Sequence, residues 1–381
     1  MIIAVDDAVA YAQEVFGRIG EVRPFPGGSV SPVALHDAEV LVVRSVTQVD
    51  ARLLAGSRVR FVGTATIGTD HLDLPYLQDR GIHVANAAGC NATAVAEYVT
   101  AALLVAAGRK RWNLAEKSIG IIGVGHTGSR VRTRAAALGM KVLLCDPPLR
   151  DSTGDLSYGF LDDVLDADIL TLHVPLTRDG PYPTRHMIGR EVLRRLSPAQ
   201  LVVNTSRGPV VAGAELKECL QQRKIAGAVL DVWEGEPLID AGLLDLAEIA
   251  TPHIAGYSLD GKIRATRMIA ARLCAYLGIR QEWDPSGVFP QPRRLLPQAG
   301  ARGQDALRSL VAQAYNILED DRSLRAISGP AGPAAGDFER LRTEYAFRPE
   351  FSHCRVGLQD EPGLALACRA LGFDIENEVC S

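Results

Sequence analysis

The chain has 381 residues, 47% of them hydrophobic and 23% charged, with a formal net charge of −4. That length sets an expectation of two or three domains with ample chain for buried cores, and the slight acidity gives no electrostatic footing for nucleic acid. The opening MIIAVDDAVAY puts two aspartates where a secretion signal needs basic and then unbroken apolar residues, so it reads as a first strand. IIAV, VLVV and VRFVG are strand-like, and residues 8–19 and 51–54 read as helical between them. A small α/β domain ending near Asn91 follows from this alternation. The alanine-rich stretch 92–107 reads as a helix leading into a second domain; interrupted by Glu97, it is taken as too short for a bilayer, so no membrane partner and a cytoplasmic location are expected.

A glycine turn comes next. Residues 118–124 (SIGIIGV) form a continuous apolar run suited to a strand covered on both faces. Gly123, Gly125 and Gly128 then form G-x-G-x-x-G around His126 and Thr127, and Val131, Ala135 and Leu138 keep helical spacing up to a candidate C-cap at Gly139. A second strand, 141–145, ends at Asp146. In this β-α-β context the turn suits a dinucleotide: tight turn at Gly123, backbone approach to the pyrophosphate at Gly125, close helix–strand packing at Gly128, and helix amides facing the anion. A carboxylate at Asp146 can accept from ribose hydroxyls and repels a 2′-phosphate, which favours NAD over NADP. Further strands at 169–174, 201–204, 227–231 and 249–251, separated by helix patterns, complete a doubly wound sheet. The helical stretch 261–277 is expected to return to the first domain, leaving a cleft between two lobes.

From about residue 281 a Pro/Gly/Arg-rich linker opens a third segment with eleven arginines, no lysine and fifteen acidic residues. It reads as a small α+β domain for subunit association. The expected organisation is therefore 1–92 with 258–280 for substrate, 93–257 for NAD, and 281–381 for dimerisation, the first two being doubly wound Rossmann/flavodoxin-like domains. The seven cysteines, Cys90, Cys145, Cys219, Cys274, Cys354, Cys368 and Cys380, include no C-x-x-C pair, so no metal site is expected and most read as buried small hydrophobes.

Three further residues carry chemistry: Arg207 in NTSRG, Glu236 in DVWEGEP and His253 in TPHIAGY. Singly, each has a structural explanation as an ion-pair partner, a turn carboxylate or a packed imidazole. Together they suit removal of a hydride and a proton from an alcohol that bears a carboxylate. An imidazole takes the hydroxyl proton, a neighbouring carboxylate stabilises the imidazolium, and a guanidinium grips the carboxylate two-pronged.

GVGHTGS with Asp146, NTSRGPVV, DVWEGEP and TPHIAGYS, in that order, resemble the signatures of the NAD-dependent D-2-hydroxyacid dehydrogenases over roughly residues 1–280. The resemblance implies that Arg207 holds the substrate carboxylate, Glu236 orients the imidazole and His253 transfers the proton. It implies cofactor contacts at Gly123 to Gly128, Asp146, Val174, Thr205, Ser206, Asp231, Gly256 and Tyr257, with Val174 standing where related sequences often carry threonine. DPP at 146–148, PLTRDGPYPTRH, HIAGYSLDGK and the extra C-terminal segment resemble one branch of the family. That branch implies a small phosphorylated 2-hydroxyacid, substrate contacts at Ser45, Thr66 and Tyr257, and a homodimer paired through the C-terminal domain. Arg44, at the end of the VLVV strand, and Arg348, in the tail, are the candidate phosphate ligands. Phosphoglycerate dehydrogenase and an NAD-sensing binding protein on the same fold are the competing expectations.

Overall fold

The computed structural model describes residues 1–280, 282–330, 332–358 and 362–376. Along the chain lie β1 (Ile2–Asp6), α1 (Ala12–Phe16), β2 (Glu21–Phe25), β3 (Val40–Val43), β4 (Phe61–Thr64), α2 (Leu74–Asp79), β5 (His83–Asn86) and α3 (Ala92–Lys110). The nucleotide-type alternation follows: β6 (Ser118–Ile122), α4 (His126–Ala137), β7 (Lys141–Cys145), α5 (Pro147–Thr153), β8 (Ile169–Leu172), α6 (Arg190–Arg195), β9 (Leu201–Asn204), α7 (Gly213–Gln221), β10 (Gly227–Leu230), α8 (Ala241–Leu246), β11 (Ile249–Ala250) and α9 (Leu259–Leu277). The tail adds β12 (Arg293–Leu295), α10 (Gly303–Ala314), α11 (Ile317–Ala326), the short pair β13 (Ser328–Gly329) and β14 (Gly332–Pro333), α12 (Ala335–Thr343), β15 (Cys354–Val356), α13 (Pro362–Ala370) and β16 (Asp374–Ile375).

The chain divides into two compact units, Met1–Asn91 with Ser258–Phe289, and Ala92–Tyr257 with Pro290–Ser381. In the first, a parallel sheet of order β2-β1-β3-β4-β5 carries fully buried central strands VLVV and FVGT. Such strands are covered on both faces, which is why they read as unbroken apolar runs. The edge strands are harder to read: β2 carries Pro24 and two charges, and β5 is partly exposed. Residues 51–54, expected to be helical, form turns instead, because Asp50 Oδ1 accepts from the N–H groups of Arg52 and Leu53 at 3.0 Å each. The helix expected over 8–19 is confined to α1, with Tyr11 left-handed at its start.

In the second unit the parallel sheet runs β11-β10-β9-β8-β6-β7. Among the described residues, a single parallel bridge from Cys145 to Gly159 stands beyond β7. The order reverses between β6 and β8, the switch point where doubly wound sheets bind ligands at the carboxyl ends of their strands. Helix α3 runs 19 residues, longer than expected, and by length and composition it could cross a membrane. Most of it is buried in this unit's core, as a central helix of a folded domain must be.

The tail does not form a core of its own among the described residues. Leu307, Leu310 and Val311 of α10, with Phe351, Val356, Leu364 and Cys368, belong to one cluster with Val95, Val99 and Leu103 of α3 and Ile119 of β6. Its three-stranded parallel sheet, β12-β15-β16, is closed by Phe351 stacked on Phe373 at 4.6 Å. Six cysteines are free and buried; Cys380 lies outside the described residues.

Candidate active site

The glycine turn leaves β6 at the switch point. Gly123 has φ +87°, and its N–H donates to the Cys145 carbonyl at 2.8 Å. A Cβ there would meet the His173 carbonyl and Val174 Cγ1, both at 2.8 Å, so the ends of β6 and β8 touch across the turn. A Cβ at Gly128 would fall 2.0 Å from the Gly123 oxygen, whereas one at Gly125 would meet nothing within 4 Å. The turn is therefore closed behind and open in front, a cradle that fits a pyrophosphate. Helix α4 begins at His126 and Thr127 with Gly125 as its cap and no side chain on its first amides, which leaves them to an anion.

Asp146 stands at the end of β7 as expected, and both of its oxygens are engaged. Oδ2 accepts from Val124 N–H at 2.7 Å, and Oδ1 caps α5 through Leu149 N–H at 3.0 Å. The carboxylate is thus fixed against the glycine turn. At the end of β8, burial pushes the His173 imidazole down to about 3, keeping it neutral between the Thr171 hydroxyl at 2.9 Å and the Thr205 hydroxyl at 3.2 Å. Ser206 is held by Asn204 Oδ1, which accepts from its hydroxyl at 2.8 Å.

Arg207, Glu236 and His253 come from the loops after β9, β10 and β11, at one edge of the sheet. A Cβ on Gly208 would lie 1.9 Å from the Trp233 oxygen, so the Arg207–Gly208 backbone rests directly on the next loop. Trp233 N–H donates to Glu236 Oε1 at 2.6 Å, and its indole N–H donates to the Thr251 carbonyl at 2.9 Å. Glu236 Oε2 then meets His253 Nδ1 at 2.8 Å. Burial would raise the Glu236 carboxyl, but the His253 imidazole, through charge and hydrogen bond, and the Trp233 amide hold it below its ordinary range. The His253 side chain keeps 32% exposure, and its Nε2 makes no hydrogen bond with the described residues. Arg207 Nη1 donates to the Ser206 carbonyl at 2.9 Å, which sets the guanidinium beside its own backbone.

His253 itself has φ +59°, a left-handed conformation unusual for any residue with a side chain. Asp231 supports it. The Asp231 carbonyl accepts from His253 N–H at 2.7 Å, while its carboxylate accepts from Ile254 N–H at 2.8 Å, Ala255 N–H at 3.0 Å and the Thr251 hydroxyl at 2.7 Å. Tyr98 completes the chain through Thr251 Oγ1 at 2.7 Å. Burial raises the Asp231 carboxyl, partly offset by His253. The resemblance gave Asp231 as a cofactor contact; anchoring this turn is a function that the bare sequence did not disclose. Gly256 and Tyr257 follow in the same turn, with Tyr257 N–H on the Ile254 carbonyl at 2.8 Å.

In the first unit Thr66 Oγ1 lies 2.7 Å from Thr64 Oγ1 and donates to the Gly68 carbonyl at 3.2 Å, and Ser45 is exposed. Arg44, expected to be available to a phosphate, donates its Nε to the buried Asp6 at 2.9 Å. Arg348 departs further from expectation. Its Nη1 pairs with the buried Glu97 on α3, its Nη2 donates to the Ala94 carbonyl at 3.2 Å, and its guanidinium carbon lies 4.2 Å from the Tyr315 ring centroid. The apolar helix α3 carries one carboxylate, and Arg348 is consumed in neutralising it.

Comparison with known proteins agrees with this geometry. The family model for the D-isomer specific 2-hydroxyacid dehydrogenase NAD binding domain matches residues 96–255, and a model described as a domain of unknown function matches 291–372. The chain is 43% identical over 377 residues to an erythronate-4-phosphate dehydrogenase of Cronobacter sakazakii and 42% identical over 376 residues to that of Salmonella newport, covering 98% of each protein and of this chain. Among solved structures, a D-lactate dehydrogenase from Aquifex aeolicus complexed with NAD and lactic acid has a TM-score of 0.59 at 26% identity, over 73% of this chain and 96% of that one. An NAD-dependent formate dehydrogenase from Staphylococcus aureus, in complex with NAD, shares the fold at a TM-score of 0.58 and 22% identity, over 74% of this chain and 97% of its own. With relatives matched end to end and a glycine cradle of the expected build, the chain belongs to the NAD-dependent D-isomer specific 2-hydroxyacid dehydrogenase family, in its erythronate-4-phosphate dehydrogenase branch.

Proposed function

We propose that the protein oxidises 4-phospho-D-erythronate at C2 to (R)-3-hydroxy-2-oxo-4-phosphooxybutanoate, a step in pyridoxine 5′-phosphate biosynthesis. The observation that carries this reading is the match to erythronate-4-phosphate dehydrogenases along 98% of both chains, tail included. Bound NAD supplies the hydride acceptor. His253 is the proton acceptor: with Nδ1 committed to Glu236, Nε2 is the nitrogen left to receive the hydroxyl proton as the C2 hydride departs. Glu236 holds the imidazole in that tautomer and stabilises the imidazolium. Arg207 takes the substrate carboxylate, and the open backbone at Gly125 with the amides of α4 takes the cofactor pyrophosphate.

A homodimer and a cytoplasmic location belong to the same proposal. Leu296 and Leu366, 51% and 69% exposed in the tail, are apolar groups that a partner subunit would cover, and light scattering tests this. Six buried, unpaired cysteines suit a reducing compartment. The activity is tested by following nicotinamide absorbance with 4-phospho-D-erythronate and 3-phosphoglycerate side by side, with and without a 2-oxoacid acceptor. Reduction with the first substrate and little with the second is expected; the reverse preference, or no reduction at all, overturns the assignment.

A further inference from the structure

The tail brings one more cation to the neighbourhood of the Glu236–His253 pair. Arg342 lies in the last turn of α12, with its side chain only 17% exposed. Nη1 donates to both oxygens of Glu339, at 2.9 and 3.1 Å. Nε is buried without a hydrogen-bond partner, and Nη2 makes no hydrogen bond with the described residues. The Nε–Nη2 edge, the one that matches two oxygens of a phosphate, is thus unmatched. An arginine whose charge is already balanced has little physical reason to keep a buried Nε donor unbonded.

The location of this edge gives it meaning. Just beyond α12, the rings of Tyr345 and Phe347 each lie 5.8 Å from that of Tyr257, four residues after His253. Tyr345 is itself held by its hydroxyl on Asp320 Oδ2 at 3.0 Å. Tyr345 and Phe347, three and five residues beyond Arg342, are therefore packed against the loop that carries the imidazole, and the Arg342 charge contributes to holding the Glu236 carboxyl down. Glu236 is bonded to His253 and Trp233 rather than to Arg342, so the guanidinium is near the reacting groups without being used by them.

We propose that Arg342 is a specificity-determining residue that binds the phosphate ester of the substrate through Nε and Nη2, with Glu339 holding the other side of the guanidinium. This rests on the phosphorylated hydroxyacid reading given above. It separates two anions by their ligands: Arg207 for the carboxylate of the hydroxyacid, and Arg342, outside the matched NAD-binding region, for the phosphate.

Two measurements on the NAD-loaded, full-length protein test it. The first compares kcat/KM for 4-phospho-D-erythronate and D-erythronate in the native enzyme, Arg342→Ala and Arg342→Lys. The ratio should fall about 10²-fold in Arg342→Ala, chiefly through KM for the phosphorylated substrate, and recover in part in Arg342→Lys, which keeps the charge but loses the fork. An equal loss for both substrates overturns the proposal and leaves Arg342 acting on Glu236 or on packing. The second titrates inorganic phosphate calorimetrically, independently of turnover: binding to the native protein that is lost in Arg342→Ala supports the site, and equal binding to both overturns it. If Arg342→Ala does not fold, Arg342→Lys carries both comparisons. A native protein that binds phosphate through Arg342 yet does not oxidise 4-phospho-D-erythronate would sink the proposed substrate and not this site.

Discussion

Gly208 rests on Trp233 so closely that a methyl group at Gly208 would fall 1.9 Å from the Trp233 carbonyl oxygen. Through this contact the loop bearing Arg207 is registered against the loop bearing Glu236, since the Trp233 amide is the donor to Glu236 Oε1. Gly208→Ala should therefore displace both functional side chains at once. The expected loss is at least 10²-fold in kcat/KM, from misplacement on the order of 1 Å, with NAD affinity measured by fluorescence changing far less. Near-native turnover in Gly208→Ala would show that the two loops move independently.

Replacing Glu236 by Gln keeps the volume and removes the charge. The Trp233 N–H can only donate, so the Gln oxygen must serve it, and the amide NH2 then faces His253 Nδ1. That arrangement places the histidine proton on Nε2, where the base is needed. Turnover should fall about 10²- to 10⁴-fold, while calorimetric NAD binding is retained. A loss under tenfold would mean that the carboxylate does not select the tautomer.

Arg348 offers a clear separation of structural from substrate-binding roles. It balances Glu97, whose carboxyl is raised by burial and held down chiefly by Arg348. Arg348→Ala removes the nearer of two cations from that carboxylate and leaves it Arg134 Nη2 at 3.6 Å and the Phe351 N–H at 2.8 Å, so the cost should approach, without exceeding, about 3–5 kcal/mol and appear as a clear drop in melting temperature. A raised KM for substrate with an unchanged melting temperature would restore the phosphate role that the sequence suggested.

Asp320, between the hydroxyls of Tyr315 and Tyr345 at 2.8 and 3.0 Å, is pushed up to about 6 by burial, against the two tyrosine hydrogen bonds. Its folded-state value lies above the unfolded one, so the folded chain binds the extra proton between about pH 4 and 6, and the ionised group costs stability above that window. Asp320→Asn should therefore melt higher than the native protein at pH 7.5, by up to about 3 kcal/mol, and the gap should narrow as pH falls through about 6 and close only below about pH 4. A less stable variant at pH 7.5 would show that the tyrosine hydrogen bonds outweigh the burial of charge.

The parts legible in the sequence are those where one local rule decides. The strand–glycine–helix unit from Ser118 to Asp146 needs only a buried run, three glycines and a carboxylate at the next strand end. Edge strands were not legible, because β2 with its proline and charges and the half-exposed β5 lack the apolar signature of the centre. The bend at residues 51–54 turned on Asp50 competing for backbone amides, which helical spacing does not register. In the tail, eleven arginines look alike in sequence. Only packing distinguishes Arg348, spent on Glu97, from Arg342, beside Glu236; the one available signal was Glu97 itself, a charge in an apolar helix that required a partner.

The left-handed turn at His253 carries a final consequence. A residue with a side chain held there costs on the order of 1–3 kcal/mol, and glycine would adopt the same φ without strain. The backbone at this point is at odds with the side chain it bears, and Asp231 keeps the two together. A variant pool sorted for thermal tolerance alone should accordingly drift toward glycine at residue 253, and one sorted for turnover should drift back: at this position durability and chemistry pull in opposite directions.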